Sequence, residues 1–360
     1  MATLPVSIPR PLAPGRFPAA AENAYRKFLR GGIADLTPWP SEVIYEGPQC
    51  KVSRYEMPEG MEPTQRTPVL LVPPLAAPAQ CFDLRRGCSM AEHLTSLGYR
   101  TYLVDYGRIG FEDRELGLEH WVNSVIPKAA GVTLNDAGAD RTQMVGWCLG
   151  GIMGLLGVAD GRSDVASISL IASPFDFAQV RLMAPVRRLA ELTGGTLGTA
   201  LYRALGGAPA GLVGAGFRLT SIDRYLTRPL VLASRMDDTE FLAHDEAIES
   251  FMGSMIAYPG RTFGQLYHRF FRVNDLSEGR LELADRTIDL RNVRAPVMAV
   301  AGTTDVLAPR AAVHHVGNLV PNAPDVRLET APGGHLGVLT GRSAERTTWR
   351  ALDEFLLEND

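Results

Sequence analysis

A cysteine framed by glycines is the part of this sequence best suited to do chemistry. Residues 146–151 have the pattern Gly-x-Cys-x-Gly-Gly, which predicts a strand, a sharp turn and the start of a helix. In such a nucleophile elbow the turn strains the backbone, so the neighbours Gly146, Gly150 and Gly151 must be small. The helix N-terminus behind Cys148 favours a thiolate, because unpaired backbone N–H groups point at the sulfur. We predict that Cys148 is a nucleophile; the alternative is a buried cysteine that acts as a small hydrophobic residue.

Candidates for an acid and a base follow Cys148 in the chain. Asp305 comes after a predicted strand at 297–302, and His335 comes after another at 326–330. The order nucleophile, acid, histidine is that of an α/β-hydrolase. In this arrangement His335 takes the thiol proton and returns it to an incoming or leaving group, while Asp305 orients the imidazole.

Other titratable residues fit these roles less well. Asp105 ends an earlier predicted strand and is an alternative acid. The remaining histidines form no metal motif, so we expect them at the surface or in packing and predict no bound metal. These histidines are His93, His120, His244, His268, His314 and His315.

Acyl chemistry on a thioester also needs hydrogen-bond donors for a tetrahedral oxyanion. The backbone N–H of Leu149, directly after the nucleophile, is one candidate. The second donor should come from the turn after the predicted strand at 68–73. Pro73 and Pro74 have no backbone N–H, so Leu75 or Ala76 must supply the second donor.

The elements that would position these residues alternate between strand and helix. Two antiparallel strands are predicted at 42–46 and 51–57, and apolar runs typical of buried parallel strands lie at 68–73, 100–105, 143–147, 166–172, 297–302 and 326–330. Helical patterns lie at 21–30, 89–97, 119–130, 149–158 and 343–357. This alternation predicts an α/β-hydrolase fold, with a mainly parallel sheet covered by helices on both faces.

One connection, residues 173–295, is far longer than an ordinary crossover of a dozen or more residues. We predict a mainly helical cap over the carboxyl edge of the sheet, where ligands bind in such folds. A Gly/Ala-rich stretch at 204–216 suits hinge motion of this cap. The alternative is a second, separately folded domain. Residues 21–172 and 296–360 would form the core, and the proline-rich residues 1–20 an extended or disordered segment.

The composition indicates which kinds of protein and which binding partners fit this chain. With 360 residues and 46% hydrophobic content, the chain can bury a large core. Its formal net charge of −4 indicates no surface for nucleic acid. The 4 cysteines show neither zinc spacing nor a disulfide pattern, which suits a reducing cytoplasm. Nothing in the sequence has the pattern of a signal peptide or a membrane span.

From about residue 40 to the C-terminus, the chain resembles the polyhydroxyalkanoate synthase family, in particular the short, class III-like type that works with a second, unrelated subunit. The most specific part of the resemblance is Gly146-Trp147-Cys148-Leu149-Gly150-Gly151, a lipase-box pattern with cysteine in place of serine, together with the downstream Asp and His. Supporting motifs are Val72-Pro73-Pro74-Leu75, Phe82-Asp83-Leu84, Val104-Asp105-Tyr106-Gly107, Glu112-Asp113-Arg114, Phe175-Asp176-Phe177, Asn274-Asp275-Leu276, Ile288-Asp289-Leu290 and Gly333-Gly334-His335-Leu336-Gly337-Val338.

The resemblance implies an acyltransferase that takes hydroxyacyl groups from hydroxyacyl-CoA through a cysteine thioester and polymerises them. Carried over by position, the triad is Cys148, Asp305 and His335. The CoA thioester is then a substrate, and no cofactor is expected. The resemblance also implies a homodimer, a second synthase subunit as partner, and a place in the cytoplasm at polymer granules.

The sequence departs from the family pattern in three places. Val306 replaces a histidine beside Asp305, which predicts a more hydrophobic wall of the active site and one fewer proton carrier near it. Ala77-Pro78 replaces Asn-Lys after the oxyanion loop, and the predicted cap has no tryptophan. Two other functions therefore stay open. One is a thioesterase or acyltransferase acting on acyl-CoA or carrier-protein thioesters; the other is a non-catalytic homologue that binds granules or a synthase partner, against which the intact triad argues.

Overall fold

A mainly parallel sheet of eight strands forms the centre of the molecule. The computed structural model describes residues 14–184, 188, 207–219, 222–283 and 286–360. In chain order the strands of this part are β1 (Ser41–Gly47), β2 (Cys50–Tyr55), β3 (Val69–Val72), β4 (Asp83–Arg85), β5 (Cys88–Ser89), β6 (Thr101–Asp105), β7 (Thr142–Trp147), β8 (Val165–Ile171), β9 (Gly207–Ala208), β10 (Tyr258–Pro259), β11 (Arg280–Leu283), β12 (Arg286–Asp289), β13 (Val297–Gly302) and β14 (Val326–Ala331).

Across the central sheet the strand order is β1-β2-β6-β3-β7-β8-β13-β14. The pairs β1/β2 and β2/β6 are antiparallel, and the pairs from β6 onward are parallel. Every residue of β3, β7, β8 and β13 is buried, as expected for apolar runs in a parallel sheet covered on both faces. Because these strands run the same way, the carboxyl ends of β7, β13 and β14 meet at one edge.

Helices surround this sheet. Those in the described part are α1 (Phe17–Leu29), α2 (Met90–Ser96), α3 (Leu118–His120), α4 (Ile126–Ala137), α5 (Leu149–Ala159), α6 (Ala210–Leu219), α7 (Ile222–Ser234), α8 (Thr239–Gly253), α9 (Gly260–Gln265), α10 (Arg310–His314), α11 (Gly337–Thr340) and α12 (Thr348–Glu358). A π-helical segment, Trp121–Val125, joins α3 to α4, and a second one, Leu266–Val273, follows α9. In the part of the chain that the structure describes, no helix is long and apolar enough to cross a bilayer.

The α/β-hydrolase fold class predicted from the sequence is confirmed, whereas several predicted element boundaries are wrong. Helix α1 already begins at Phe17, inside the segment 1–20 predicted to be extended or disordered. Pro18 lies in its first turn, where the fixed φ of proline favours a helix and the missing N–H costs nothing. Residues 1–13 lie outside the described part. The helix predicted at 343–357 starts as a 3₁₀ turn, Ala344–Arg346, before α12.

The long connection at 173–295 contains α6 to α9 and the strands β9 to β12 in its described part. Residues 210–216 of the Gly/Ala-rich stretch are helical, within α6, whereas 204–206 lie outside the described residues. Helix α8 is held to the N-terminal part of the chain. The carboxylate of Glu246 accepts from the Lys27 ammonium at 2.7 Å and from the Ile33 and Ala34 amides at 2.6 and 2.9 Å.

Candidate active site

The turn between β7 and α5 carries Cys148 in a strained backbone conformation. Its φ of 53° and ψ of −122° lie where a non-glycine residue is rare, so the surrounding structure must hold the turn in place. Part of that support is the Cys148 amide, which donates to the carbonyl of Ile171 at the end of β8 at 2.8 Å. The strain turns the thiol away from both the strand and the helix, as in a nucleophile elbow.

The elbow glycines predicted from the sequence lie where a side chain has no room. A Cβ on Gly146 would collide with the backbone of Gly151, and one on Gly150 would collide with the carbonyl of Val72 in β3. A Cβ on Gly151 would collide with the hydroxyl of Ser173. Close contact between α5 and the strands on either side of β7 therefore requires all three glycines.

Asp305 and His335 contact each other beyond the ends of β13 and β14. Nδ1–H of His335 donates to Oδ2 of Asp305 at 2.8 Å. The other carboxylate oxygen accepts from the amides of Leu307 and Ala308, each at 2.8 Å. Burial raises the pKa of Asp305, but the His335 charge and these hydrogen bonds outweigh it and lower the pKa. Asp305 is therefore a buried, ionised acceptor that fixes the orientation of the imidazole.

The charges around His335 favour its protonated form. Burial lowers the pKa of the imidazole, but Asp305 and the thiolate form of Cys148 raise it more, to about 10. The side chain is mostly buried, and it lines the same cavity as Cys148. At neutral pH an imidazolium next to the sulfur can stabilise a thiolate and then return its proton to a leaving group.

The alternative acid, Asp105, lies elsewhere. Its carboxylate is 3.2 Å from Nζ of Lys51 and accepts from the Gly107 amide at 2.9 Å. Of the other histidines, His93 contacts Asp353, and His315 contacts the carbonyl of Ser277. The expectation for His244 was incomplete, because this residue lines the same cavity as Cys148.

The turn after β3, predicted as the oxyanion loop, bends sharply beside the cavity. Ala76 has a φ of 63°, an unusual value for alanine, which turns the backbone sharply. Pro74, Leu75 and Ala77 from this turn line the cavity. The Leu149 amide stands in the first turn of α5, where an N–H has no partner within its helix. The loop is tied to the predicted cap, since the Ile256 amide donates to the carbonyl of Ala76 at 3.0 Å.

A cavity of about 480 Å³ brings these residues together, which is within the range of small-molecule sites. The sheet side contributes Cys148, His335 and the oxyanion turn. The opposite side comes from the predicted cap and is mostly apolar, and it includes Arg228 and Asp245, which form an ion pair at 2.8 Å. The lining residues of the predicted cap are Phe217, Thr227, Arg228, Val231, Phe241, His244, Asp245, Ile248, Phe251, Met252, Met255 and Tyr258.

Trp147 is a site residue that the sequence analysis did not identify. Its indole N–H donates to the backbone carbonyl of His335 at 3.2 Å, and its ring lies 5.2 Å from the imidazole. On its other side the ring lies 6.1 Å from Phe251 of α8. Trp147 therefore connects a helix of the predicted cap with the loop that carries His335. Its place beside the nucleophile was visible in the sequence, but its partners depend on the fold.

Val306 does not line the cavity. About half of its surface is exposed (51%), and the next residue, Leu307, points to the cavity instead. The expectation that Val306 makes the wall of the active site more hydrophobic is therefore wrong, because Val306 is not part of the cavity wall. The amides of Leu307 and Ala308 both donate to the Asp305 carboxylate. This turn places the side chain of Val306, between Asp305 and Leu307, outside the cavity.

Comparison with known proteins agrees with the resemblance. A poly(3-hydroxyalkanoate) polymerase subunit PhaC from Haloarcula marismortui is 25% identical over 342 residues, which are 90% of this chain and 69% of that protein. The subunit of the same name from Allochromatium vinosum is 25% identical over 322 residues, 89% of this chain and 88% of that protein. No protein-family model matches the chain. Mouse alpha/beta hydrolase domain-containing protein 10 shares the fold, with a TM-score of 0.51 and 14% identity over 89% of this chain and 98% of that one.

Proposed function

We propose that this protein of the polyhydroxyalkanoate synthase family is an acyltransferase that takes hydroxyacyl groups from hydroxyacyl-CoA and polymerises them. The observation that carries the proposal is the strained Cys148 in one cavity with a His335 whose imidazole is held by Asp305 at 2.8 Å. Cysteine suits this reaction, because its acyl thioester is close in energy to the thioester substrate, whereas serine would form a more stable oxyester. Transfer between thioesters is therefore nearly balanced.

In the first step the sulfur of Cys148 attacks the carbonyl carbon of the substrate thioester. The carbonyl oxygen becomes an oxyanion, for which the amides of Leu149 and of Leu75 or Ala76 are the proposed donors. When the C–S bond to CoA breaks, the imidazolium of His335 gives its proton to the departing CoA sulfur. The products are an acyl-Cys148 thioester, a neutral imidazole and free CoA.

In the second step a hydroxyl group attacks the acyl-Cys148 carbonyl. His335, now neutral, takes the hydroxyl proton, while Asp305 stabilises the charge that forms on the ring. Attack by the hydroxyl of a hydroxyacyl thioester forms an ester, breaks the acyl C–S bond to Cys148 and lengthens the chain by one unit. Cys148 leaves as a thiolate beside the now protonated His335, which is the state that began the first step. Attack by water would release a free hydroxyacid, so the cavity must favour the first nucleophile over the second.

The further parts of the proposal concern assembly. We propose residues 173–295 as a cap that closes the cavity over the acyl group, a homodimer, and a second synthase subunit as partner. The mostly apolar cavity surface of the cap suits a growing polyester and excludes water. Action in the cytoplasm at polymer granules completes the proposal.

The test is incubation of the purified protein, with its partner subunit supplied, with 3-hydroxybutyryl-CoA. Free CoA, insoluble polymer and free hydroxybutyrate are measured separately, with Cys148→Ala as the control. The proposal expects CoA release matched by polymer mass and absent in the variant. CoA release matched by free hydroxybutyrate would show a thioesterase instead, and release that persists in Cys148→Ala would remove the cysteine mechanism.

A further inference from the structure

One polar group in the cavity has no part in the mechanism described so far. Tyr258, in β10, lines the same cavity as Cys148 and His335. Within the part of the chain that the structure describes, its hydroxyl makes no hydrogen bond to protein. A phenol in a mostly apolar cavity usually finds a partner, because an unpaired polar group there loses its hydration. The substrate is the partner that the cavity would supply.

The backbone around Tyr258 is fixed relative to the oxyanion loop. Strand β10 pairs with β9, with Tyr258 opposite Ala208. Two residues earlier, the Ile256 amide donates to the carbonyl of Ala76 at 3.0 Å. The ring also packs against Phe263, with centroids 6.0 Å apart. The phenol is thus held by the same short segment that contacts the loop expected to supply an oxyanion donor.

The ionisation of Tyr258 decides what it can do. Burial is the main cause that raises the pKa of the phenol, and the nearby charge of Cys148 raises it further. The phenol therefore keeps its proton at neutral pH, so it can donate a hydrogen bond but cannot serve as a base. Because Tyr258 and Cys148 line the same cavity, an acyl group on the sulfur lies in the space that the phenol faces.

We propose that the hydroxyl of Tyr258 donates a hydrogen bond to the acyl oxygen that becomes negative when Cys148 attacks. It thereby adds a donor from the predicted cap to the backbone donors of the elbow and the turn after β3. The inference rests on the acyl transfer proposed above and names a further catalytic residue for it. Tyr258 keeps its proton throughout, while sulfur attack and proton return to the leaving group proceed as described. The oxyanion site is complete only while β10 lies against the oxyanion loop.

The test compares Tyr258→Phe, which removes only the hydroxyl, with Tyr267→Phe, a change in a buried ring of the same predicted cap that does not line the cavity. Acylation of Cys148 is followed in single turnovers by intact mass, with 3-hydroxybutyryl-CoA and with p-nitrophenyl butyrate. Alkylation by iodoacetamide is measured in parallel, because it uses the sulfur without forming an oxyanion. Tyr258→Phe should slow acylation by about 10²-fold with both acyl donors, as for loss of an oxyanion-hole donor. Alkylation by this variant, and all three reactions of Tyr267→Phe, should stay at the wild-type rate.

Acylation of Tyr258→Phe at the wild-type rate would overturn the inference. Equal slowing of alkylation and acylation would also overturn it, because the hydroxyl would then act on the sulfur or the fold. The ester separates this inference from the proposed function. If wild type is acylated by p-nitrophenyl butyrate but not by the CoA thioester, the hydroxyacyl-CoA proposal fails while the role of Tyr258 is still measured.

Discussion

The two sides of the cavity hold their residues by different means. On the sheet side, Cys148, Asp305 and His335 follow parallel strands, of which β7 and β13 are buried. Hydrogen bonds of backbone amides fix the turns that carry Cys148 and Asp305. On the other side, α7 and α8 contribute mainly apolar side chains. Helix α8 is anchored by side-chain contacts, among them those of Glu246 with the N-terminal segment. A rigid wall suits bond making, and we expect the cap side to move when an acyl chain is admitted.

The strongest test of this contrast is removal of the nucleophile. Cys148→Ala should eliminate the covalent acyl adduct and leave the fold intact, because alanine is smaller than cysteine and keeps the turn. Intact mass after incubation with hydroxyacyl-CoA measures the adduct, and circular dichroism measures the fold. Cys88→Ala, at a buried cysteine that does not line the cavity, is the matched control. An adduct of unchanged yield in Cys148→Ala would place the chemistry elsewhere.

Removal of the base should have the next largest effect. His335→Ala should slow acylation at neutral pH by at least about 10²-fold, the low end for general acid–base catalysis. His244→Ala changes the histidine on the opposite side of the same cavity and should not produce this loss. If single-turnover kinetics show the loss in His244→Ala and not in His335→Ala, the base is His244 on the cap side, and the contrast between the two sides fails.

On the cap side, Glu246→Gln should loosen α8 while leaving the chemistry intact. Loss of charge-assisted hydrogen bonds worth about 1.5 kcal/mol should speed amide exchange in 239–253 and around residue 33 by about 10-fold. Burial raises the pKa of Glu246, but Lys27 and the two amides outweigh it and lower it below its ordinary value. The contribution to wild-type stability is therefore present above pH 4.5 and is lost as the pH falls through the lowered pKa.

Hydrogen exchange measured at several pH values checks this prediction. Glu22→Gln, on the exposed face of α1, is the control and should leave exchange unchanged. Uniformly slow exchange across the described residues of 173–295, unaffected by the variant or by a substrate analogue, would indicate a rigid domain in place of a mobile cap.

Trp147 contacts both sides of the cavity, so we expect its substitution to slow acylation less than loss of Cys148 or His335. Trp147→Phe removes the hydrogen bond to the His335 carbonyl and keeps most of the ring packing. We expect a loss of about fivefold in acylation, equivalent to about 1 kcal/mol, with a changed pH profile and little change in substrate binding. Trp349→Phe removes a similar indole bond, to the carbonyl of Leu339 at 2.8 Å, outside the cavity. Equal losses in both variants, with unaltered pH profiles, would reduce Trp147 to a packing residue.

Val306→His should have the smallest effect. The side chain is half exposed and outside the cavity, and such surface changes are usually within about 0.5 kcal/mol, which is roughly a twofold change in rate. The ratio of polymer to free hydroxyacid should therefore match that of wild type. A marked shift of this ratio toward polymer would show that the residue beside Asp305 controls elongation although it does not line the cavity.

The sequence predicted the sheet side well, for a physical reason. Small residues around Cys148 and the apolar run before Asp305 are local signals, and a parallel sheet brings the ends of its strands to one edge. The strand before His335 was predicted as a buried apolar run, which is wrong, because in β14 only Ala331 is buried. Tyr258 and Phe251 gave no comparable signal, because their position opposite Cys148 depends on packing between segments about a hundred residues apart. The inward direction of Leu307 likewise follows from the hydrogen bonds of Asp305, which the residue order alone does not reveal.

The bonds of Glu246 with the N-terminal segment also set an order of events during synthesis. The Ile33 amide and the carboxylate of Glu246 are 213 positions apart, and so are Asn23 and the Met236 carbonyl that its side chain contacts. At typical translation rates, residues 23–34 leave the ribosome on the order of ten to forty seconds before these partners are made. Helix α1 is translated well before α8, so the contacts between these two parts of the chain can form only after Glu246 has been made.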